Sequence, residues 1–154
     1  MISSTAEYAL RAIVHLATRS EKAQTAQQIA EITRVPSGYL SKVLQDLAKA
    51  RIVLSQRGPN GGFTLSRPPE EISILEVINA VDPIQRIHAC PLGLPEHGTK
   101  LCALHQRLDD AMSYVEQMFR DSTMADMMKP SRSGSRCIFP TVEGSAPKRR
   151  AKST

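Results

Sequence analysis

Two cysteines and three histidines lie within 18 residues of one another: His88, Cys90, His97, Cys102 and His105. A thiolate binds zinc or the irons of an iron–sulfur cluster, and imidazole completes either kind of site. Cys90 and Cys102 are far apart in sequence, which leaves two other chemistries open: buried thiols, or a redox switch. Cys102 and His105 share a face if they lie on a helix. They imitate a catalytic nucleophile and base, but no acidic orienter or oxyanion hole accompanies them. Gly58-Pro59-Asn60-Gly61-Gly62 is glycine-rich, yet no Gly-Lys-Ser/Thr follows it as in a phosphate-cradling P-loop. The pattern points away from an enzyme and towards a sensor.

The elements around this loop must position it. Downstream, Ala103 to about Ser122 has the apolar spacing of a long helix. Leu104, Leu108, Ala111, Met112, Val115, Met118 and Phe119 lie on one stripe. Such a stripe needs a partner: the same helix of a second subunit, in a coiled-coil-like contact, or the chain's own domain. Upstream, Ile74 to Ala80 reads as a short helix. A first helix starts at Ser3 or Ser4, with Ala6, Leu10, Ile13, Val14 and Ala17 at helical spacing.

Residues 25 to 67 read as a winged helix-turn-helix. Thr25 and Gln28 have the spacing of a capping box, and Ala26, Ile29, Ala30 and Ile32 give a small apolar face. Pro36 disfavours helical geometry at Val35, so the helix breaks at Arg34-Val35-Pro36. Ser37 then caps a second helix in which Leu40, Val43, Leu44 and Leu47 face the core. Its other face carries Ser37, Gly38, Tyr39, Ser41, Lys42 and Gln45, short or hydrogen-bonding side chains that approach bases and phosphates closely. Ile52-Val53-Leu54 and Phe63-Thr64-Leu65 are strand-like. Between them Asn60-Gly61 signals a hairpin, because both residues tolerate positive φ. Arg57 and Arg67 flank this tip, where arginine can meet phosphates or a narrow minor groove.

Composition bounds the rest. The 154 residues are 41% apolar but only 4% aromatic, without tryptophan, so the core is aliphatic. Residues 1–68 hold nine Lys/Arg against four Asp/Glu, which suits a phosphate partner. Residues 69–128 hold four against ten and should stay off DNA. Residues 129–154 hold seven against one, ending in Lys148-Arg149-Arg150-Ala151-Lys152; this reads as a disordered basic tail, solubilising or weakly DNA-attracting. No apolar run spans a membrane, and no signal peptide is evident. A cytoplasmic protein is expected, with cysteines as thiols or ligands rather than disulfides.

Ser4-Thr5-Ala6-Glu7-Tyr8-Ala9-Leu10-Arg11, Val35-Pro36-Ser37-Gly38-Tyr39-Leu40 and Arg57-Gly58-Pro59-Asn60-Gly61-Gly62-Phe63 together resemble the Rrf-type bacterial regulators, the family of IscR-, NsrR- and RirA-like proteins. The resemblance covers roughly residues 1 to 125. It implies a homodimeric winged-helix transcription factor, often a repressor, on a palindromic double-stranded DNA operator. The expected fold is mainly α with a small β-hairpin. Residues 1–80 form the winged helix-turn-helix domain, 81–102 a sensor loop, 103–128 a long dimerisation helix and 129–154 the tail. Thr25, Ser37, Gly38, Tyr39, Ser41, Lys42, Arg57, Gly58, Asn60 and Gly61 are the expected DNA contacts.

The resemblance also implies an iron–sulfur cluster of the 2Fe–2S kind, sensing redox state, nitric oxide or iron–sulfur status. Its cluster-bearing members carry three cysteines in this loop. Cys90 and Cys102 match the outer two, and His105 matches the histidine ligand of the IscR-like branch. Glu96 and His97 stand near the missing middle cysteine. A fourth ligand would be His97, or Glu7 of the other subunit, although Ser4 and Glu7 are also spaced as a capping box. His88 is expected to be an exposed loop residue, and Cys137 incidental. A cluster-free regulator with a thiol switch, and a winged helix that binds protein instead of DNA, are the alternatives.

Overall fold

The computed structural model describes residues 2–19, 22–96, 100–137 and 139. His97 and the basic tail beyond residue 140, two subjects of expectation, lie outside them. Among the described residues six α-helices, one hairpin and a short 3-10 turn (Pro69–Glu71, before α4) follow in order: α1 Ser4–Thr18, α2 Ala26–Thr33, α3 Ser37–Lys49, β1 Val53–Gln56, β2 Gly62–Leu65, α4 Ile74–Val81, α5 Ala103–Asp121 and α6 Met124–Met127. The chain is a mainly helical winged helix with a two-stranded antiparallel wing, as expected.

Helix α1 lies at the centre, in contact with α2, α3, α4 and α6. Its alanines allow this: Ala6, Ala9 and Ala12 are almost wholly buried and let neighbouring helices approach closely. Ile29, Leu40, Val43, Leu44, Leu47, Ile72 and Val77 close around them, so the core is aliphatic. One polar group was not foreseen there. His15 is 1% exposed and donates from Nε2 to Gln24 Oε1 (2.6 Å), with Phe139 edge-on at 6.0 Å. Burial pushes its imidazole below the ordinary value.

Two capping expectations are corrected, and one helix end is refined. Helix α1 is capped by Ser3, whose Oγ accepts from the Ala6 amide (3.2 Å), so Ser4 and Glu7 form no capping box. Helix α2 has its Thr25–Gln28 box and breaks at Arg34 as expected: it ends at Thr33, where Arg34 takes a left-handed conformation (φ 55°) one residue before the restricted Val35. Pro36 occupies the cap position of α3, so Ser37 lies inside the first turn and caps nothing. There its carbonyl accepts from Ser41 Oγ (3.1 Å).

The wing also turns differently. Val53 pairs with Leu65 and Gln56 with Gly62, leaving Arg57 to Gly61 as the loop. Positive φ falls on Gly58 and Gly62, not on Asn60-Gly61. The Gly61 amide donates to the Gly58 carbonyl (2.9 Å), a turn with Pro59 second, where its fixed φ fits. Gln24 pairs with Phe63 through both backbone bonds (3.1 and 2.7 Å), which ties β2 to the segment entering α2.

Helix α4 is capped by a Ser73–Glu76 box. Helix α5 is long and mostly uncovered. Asp109 is its one buried residue, while Leu104, Leu108, Met112 and Met118 are exposed by 62, 45, 38 and 49%. Val115 and Phe119 are half-buried, and Phe119 packs against the core. After α5 the chain returns: the Ile74 amide donates to the Ser122 carbonyl (2.9 Å), the Met124 amide to that of Ile72 (2.8 Å), and Met124 is fully buried. Among the described residues no helix is long and apolar enough to cross a membrane.

Candidate DNA interface and cysteine–histidine site

The helix-turn-helix presents the expected face outward. Thr25, Ser37, Gly38, Tyr39, Ser41 and Lys42 are all exposed, opposite the buried Leu40, Val43, Leu44 and Leu47. Arg57, Gly58 and Asn60 are exposed at the wing tip, and Gly61 is half-buried. Thr25, Lys22 and Gln28 share one cleft with Asn60 and Gly61, so the start of α2 and the wing tip flank the same opening. Arg67 is not a second wing cation. It donates to Glu76 Oε1 (3.0 Å) and to the Glu71 carbonyl (3.0 Å), fastening the wing's exit to α4.

A group beside the recognition helix went unseen in the sequence. Tyr39 meets Tyr8 edge-to-face, with ring centres 6.4 Å apart, and the Arg11 guanidinium stands 5.8 Å over the Tyr8 ring. Arg11 Nε also donates to the exposed Glu7 carboxylate (3.1 Å). Their i, i+4 spacing on α1 was the available signal.

The second site is assembled from a loop and a helix start. Cys102 is the N-cap of α5, and His105 lies in its first turn. His105 Nδ1 stands 3.2 Å from Cys102 Sγ and 3.6 Å from Cys90 Sγ. The donor atoms of Cys90, Cys102 and His105 all lie within 4.8 Å of one another, the one such convergence of three among the described residues. Glu7, Glu96, His88 and Cys137 stand outside it, and none of the three cysteines is in a disulfide.

The local electrostatics suit metal binding. The Cys102 thiol falls from 9.0 to about 7. The chief cause is the His105 backbone amide in the helix's first turn, followed by the His105 ring; burial opposes them, and Cys90 and the Leu104 amide add lesser lowering. A thiolate at neutral pH is the ligand form for iron or zinc. Two sulfurs and one imidazole nitrogen fit such a group, and leave one terminal position of a four-ligand site to an outside donor.

Loop 82–90 is held against α5 by ion pairs. Arg86 grips Asp109 with both arms (2.7 and 2.6 Å) and reaches Glu116 (3.2 Å), which in turn holds Arg120 (2.9 Å). Asp109 also accepts the Ile87 amide (2.9 Å). Together, with Arg86 first, these bonds hold its carboxyl down at about 2.

The thiol shift has a measurable consequence. At pH 7 a thiol titrating near 7 is about half ionised, against about 1% for one at 9.0. Lower basicity costs nucleophilicity, roughly eightfold over two units. Cofactor-free protein should therefore exchange with a disulfide reagent at Cys102 about sixfold faster than an ordinary thiol at pH 7. The rate should rise through a midpoint near 7 and level off above it. The lowered value also means that this group's contribution to stability is full above 9 and lost as pH falls through about 7. Peptide-mapped labelling against pH checks this; a midpoint at 8.5 or above would refute it.

Comparison with known proteins bears on the fold and on the class of protein. A family described as Rrf2, iron-dependent transcriptional regulator, matches residues 2–130. An HTH-type transcriptional regulator of Mycobacterium tuberculosis is 36% identical over 131 residues, covering 82% of this chain and 80% of its own. Among solved structures, T. potens IscR superposes with a TM-score of 0.67 at 23% identity, over 82% of this chain and 85% of that one. CymR, the global cysteine regulator of B. subtilis, gives 0.68 at 23%, over 82 and 95%; at such identity these two establish the fold alone. These relatives are regulators, not enzymes, and the chain belongs to the Rrf2 family of transcriptional regulators.

Proposed function

We propose that this regulator binds a palindromic operator as a homodimer and senses redox, nitric oxide or iron–sulfur status through a 2Fe–2S cluster held by Cys90, Cys102 and His105. The observation that carries the reading is the convergence of those three donors on the first turn of α5. That helix is the one that leaves an apolar stripe uncovered. Pairing of two such stripes would form the dimer and set the separation of two recognition helices in successive major grooves. Tyr39, Ser41 and Lys42 would meet bases and phosphates there, and Arg57 the flanking groove. The fourth ligand would be Glu7 of the partner subunit or His97. When bound, the cluster would supply a centre that oxidants or nitric oxide can alter. This chain's part is to hold two thiolates and an imidazole at the start of the helix that spaces the DNA readers.

The test is the Cys90→Ala, Cys102→Ala double variant. Wild-type protein purified without air should be brown, with two irons and two sulfides per chain, and its operator affinity should change when the cofactor is destroyed. The double variant should be colourless, with one fixed affinity. A double variant whose operator affinity still shifts with redox condition as the wild type's does would refute the sensing role. One observation favours a second reading, a thiol switch: the two sulfurs lie within 4.8 Å and one is readily ionised. Colourless wild-type protein whose affinity shifts reversibly with thiol reductant would select that reading.

A further inference from the structure

The proposed ligands come from two places. Cys102 and His105 belong to the first turn of α5 and are placed by the helix itself. Cys90 lies on the segment between α4 and α5, with no helix or strand around it, yet its sulfur reaches His105 at 3.6 Å. Something must hold that arm. One bond that joins its segment to α5 is the Ile87 amide to Asp109, three residues before Cys90. Beside it Arg86 makes its two-armed grip on the same carboxylate and extends to Glu116. Asp109 stands one helical turn beyond His105 and is 8% exposed, the one buried residue of α5.

We infer that Arg86 and Asp109 are positioning residues of the cofactor site: their clamp fixes the Cys90 arm against α5, so that one chain presents three ligands before any cofactor arrives. The inference rests on the functional reading above for its purpose, but the clamp can be tested without it. Three features favour a dedicated device over a chance surface pair. The arginine is bidentate, which fixes geometry as well as charge. The carboxylate accepts three bonds, one of them from the backbone of the arm itself. The pair is largely shielded, with side-chain exposures of 28% for Arg86 and 12% for Asp109. Groups that orient metal ligands through hydrogen bonds typically change metal affinity by about 10- to 100-fold, and this clamp acts on the arm three residues before Cys90.

The test uses full-length cofactor-free protein in which Cys137→Ser leaves two thiols, and a short bifunctional reagent that fluoresces only when it bridges both. Arg86→Gln and Asp109→Asn should slow bridging of Cys90 to Cys102 by about an order of magnitude, as expected when two reacting groups lose their mutual orientation. Arg86→Lys keeps the charge without the two-armed geometry and should fall between. A purely structural role would lower the unfolding midpoint without changing bridging in protein that is still folded. Bridging is therefore measured well below that midpoint, on variants whose circular dichroism and random-DNA binding match the parent. Unchanged bridging in all three variants overturns the inference, whatever the iron content. Slower bridging upholds it, and if the parent then never takes up iron, the cluster reading fails while the clamp stands. In protein that does hold iron, the Gln and Asn variants should lose it to a chelator about 10- to 100-fold faster.

Discussion

Gly62→Ala should cost roughly 2–5 kcal/mol of stability, a sum of backbone strain and overlap. Gly62 has φ +146°, which a residue with a Cβ rarely adopts. A Cβ there would lie 2.5 Å from the Gln24 carbonyl carbon and oxygen and 2.9 Å from its nitrogen. All three are backbone atoms of the segment that pairs with Phe63, so no flexible side chain can move aside. Strand β2 would have to move away from Gln24 and lose the two Gln24–Phe63 bonds. Gly58→Ala is the control: its φ of +110° is also strained, but a Cβ meets nothing within 4 Å. It should cost about 1–3 kcal/mol from strain alone. Urea unfolding of the two variants measures the difference. DNA affinity should fall more for Gly62→Ala, since that change displaces the whole wing and not only its tip. A Gly62→Ala protein within 1 kcal/mol of wild type would show that the wing does not need this close approach.

Periodic features were readable from the sequence because each follows from local geometry. Leu40, Val43, Leu44 and Leu47 are all buried, as the 3.6-residue repeat requires, and the Thr25–Gln28 box is formed by groups three residues apart. The wing was readable as a wing, but its turn was not. Asn60-Gly61 carries the commoner signal, yet Pro59 and the Gln24 contact put the positive φ on Gly58 and Gly62. Caps shifted by one residue where two serines or a Pro-Ser pair competed, as at Ser3–Ser4 and Pro36–Ser37.

The cysteine–histidine site divides along the same line. Cys102 and His105 are neighbours through one helical turn, so their spacing alone pairs them. The place of Cys90 depends on Arg86 and Asp109, which are 23 residues apart and leave no periodic trace. Arg67 shows the converse case. Its position beside a glycine-rich tip suggested DNA, and only the fold reveals Glu76 as its partner. Charge and spacing thus reveal which groups are available, whereas long-range pairing decides which of them remain free for a ligand.

Met124→Ala should lower stability by about 2–5 kcal/mol, the usual cost of emptying a buried methionine site, while Met124→Leu should cost less than about 1.5. Met124 is fully buried and belongs to α6, the short helix after α5. It is flanked by backbone bonds joining residues 122 and 124 to 72 and 74. Helix α5 is therefore fastened twice: to the 82–90 segment by Arg86, and, past its C-terminal end, to the winged core by Met124. Under the proposed function, a signal from the cysteine–histidine site passes along this helix or through the proposed dimer contact. Loosening its far end should then reduce the response as well as the stability. The ratio of operator affinities between cofactor-loaded and cofactor-free protein should move towards one in Met124→Ala and stay near wild type in Met124→Leu. Both are measured below the unfolding transition, so that loss of fold does not mimic loss of coupling. A Met124→Ala protein that is less stable but keeps the full ratio would place the coupling in the dimer contact and not in this anchor.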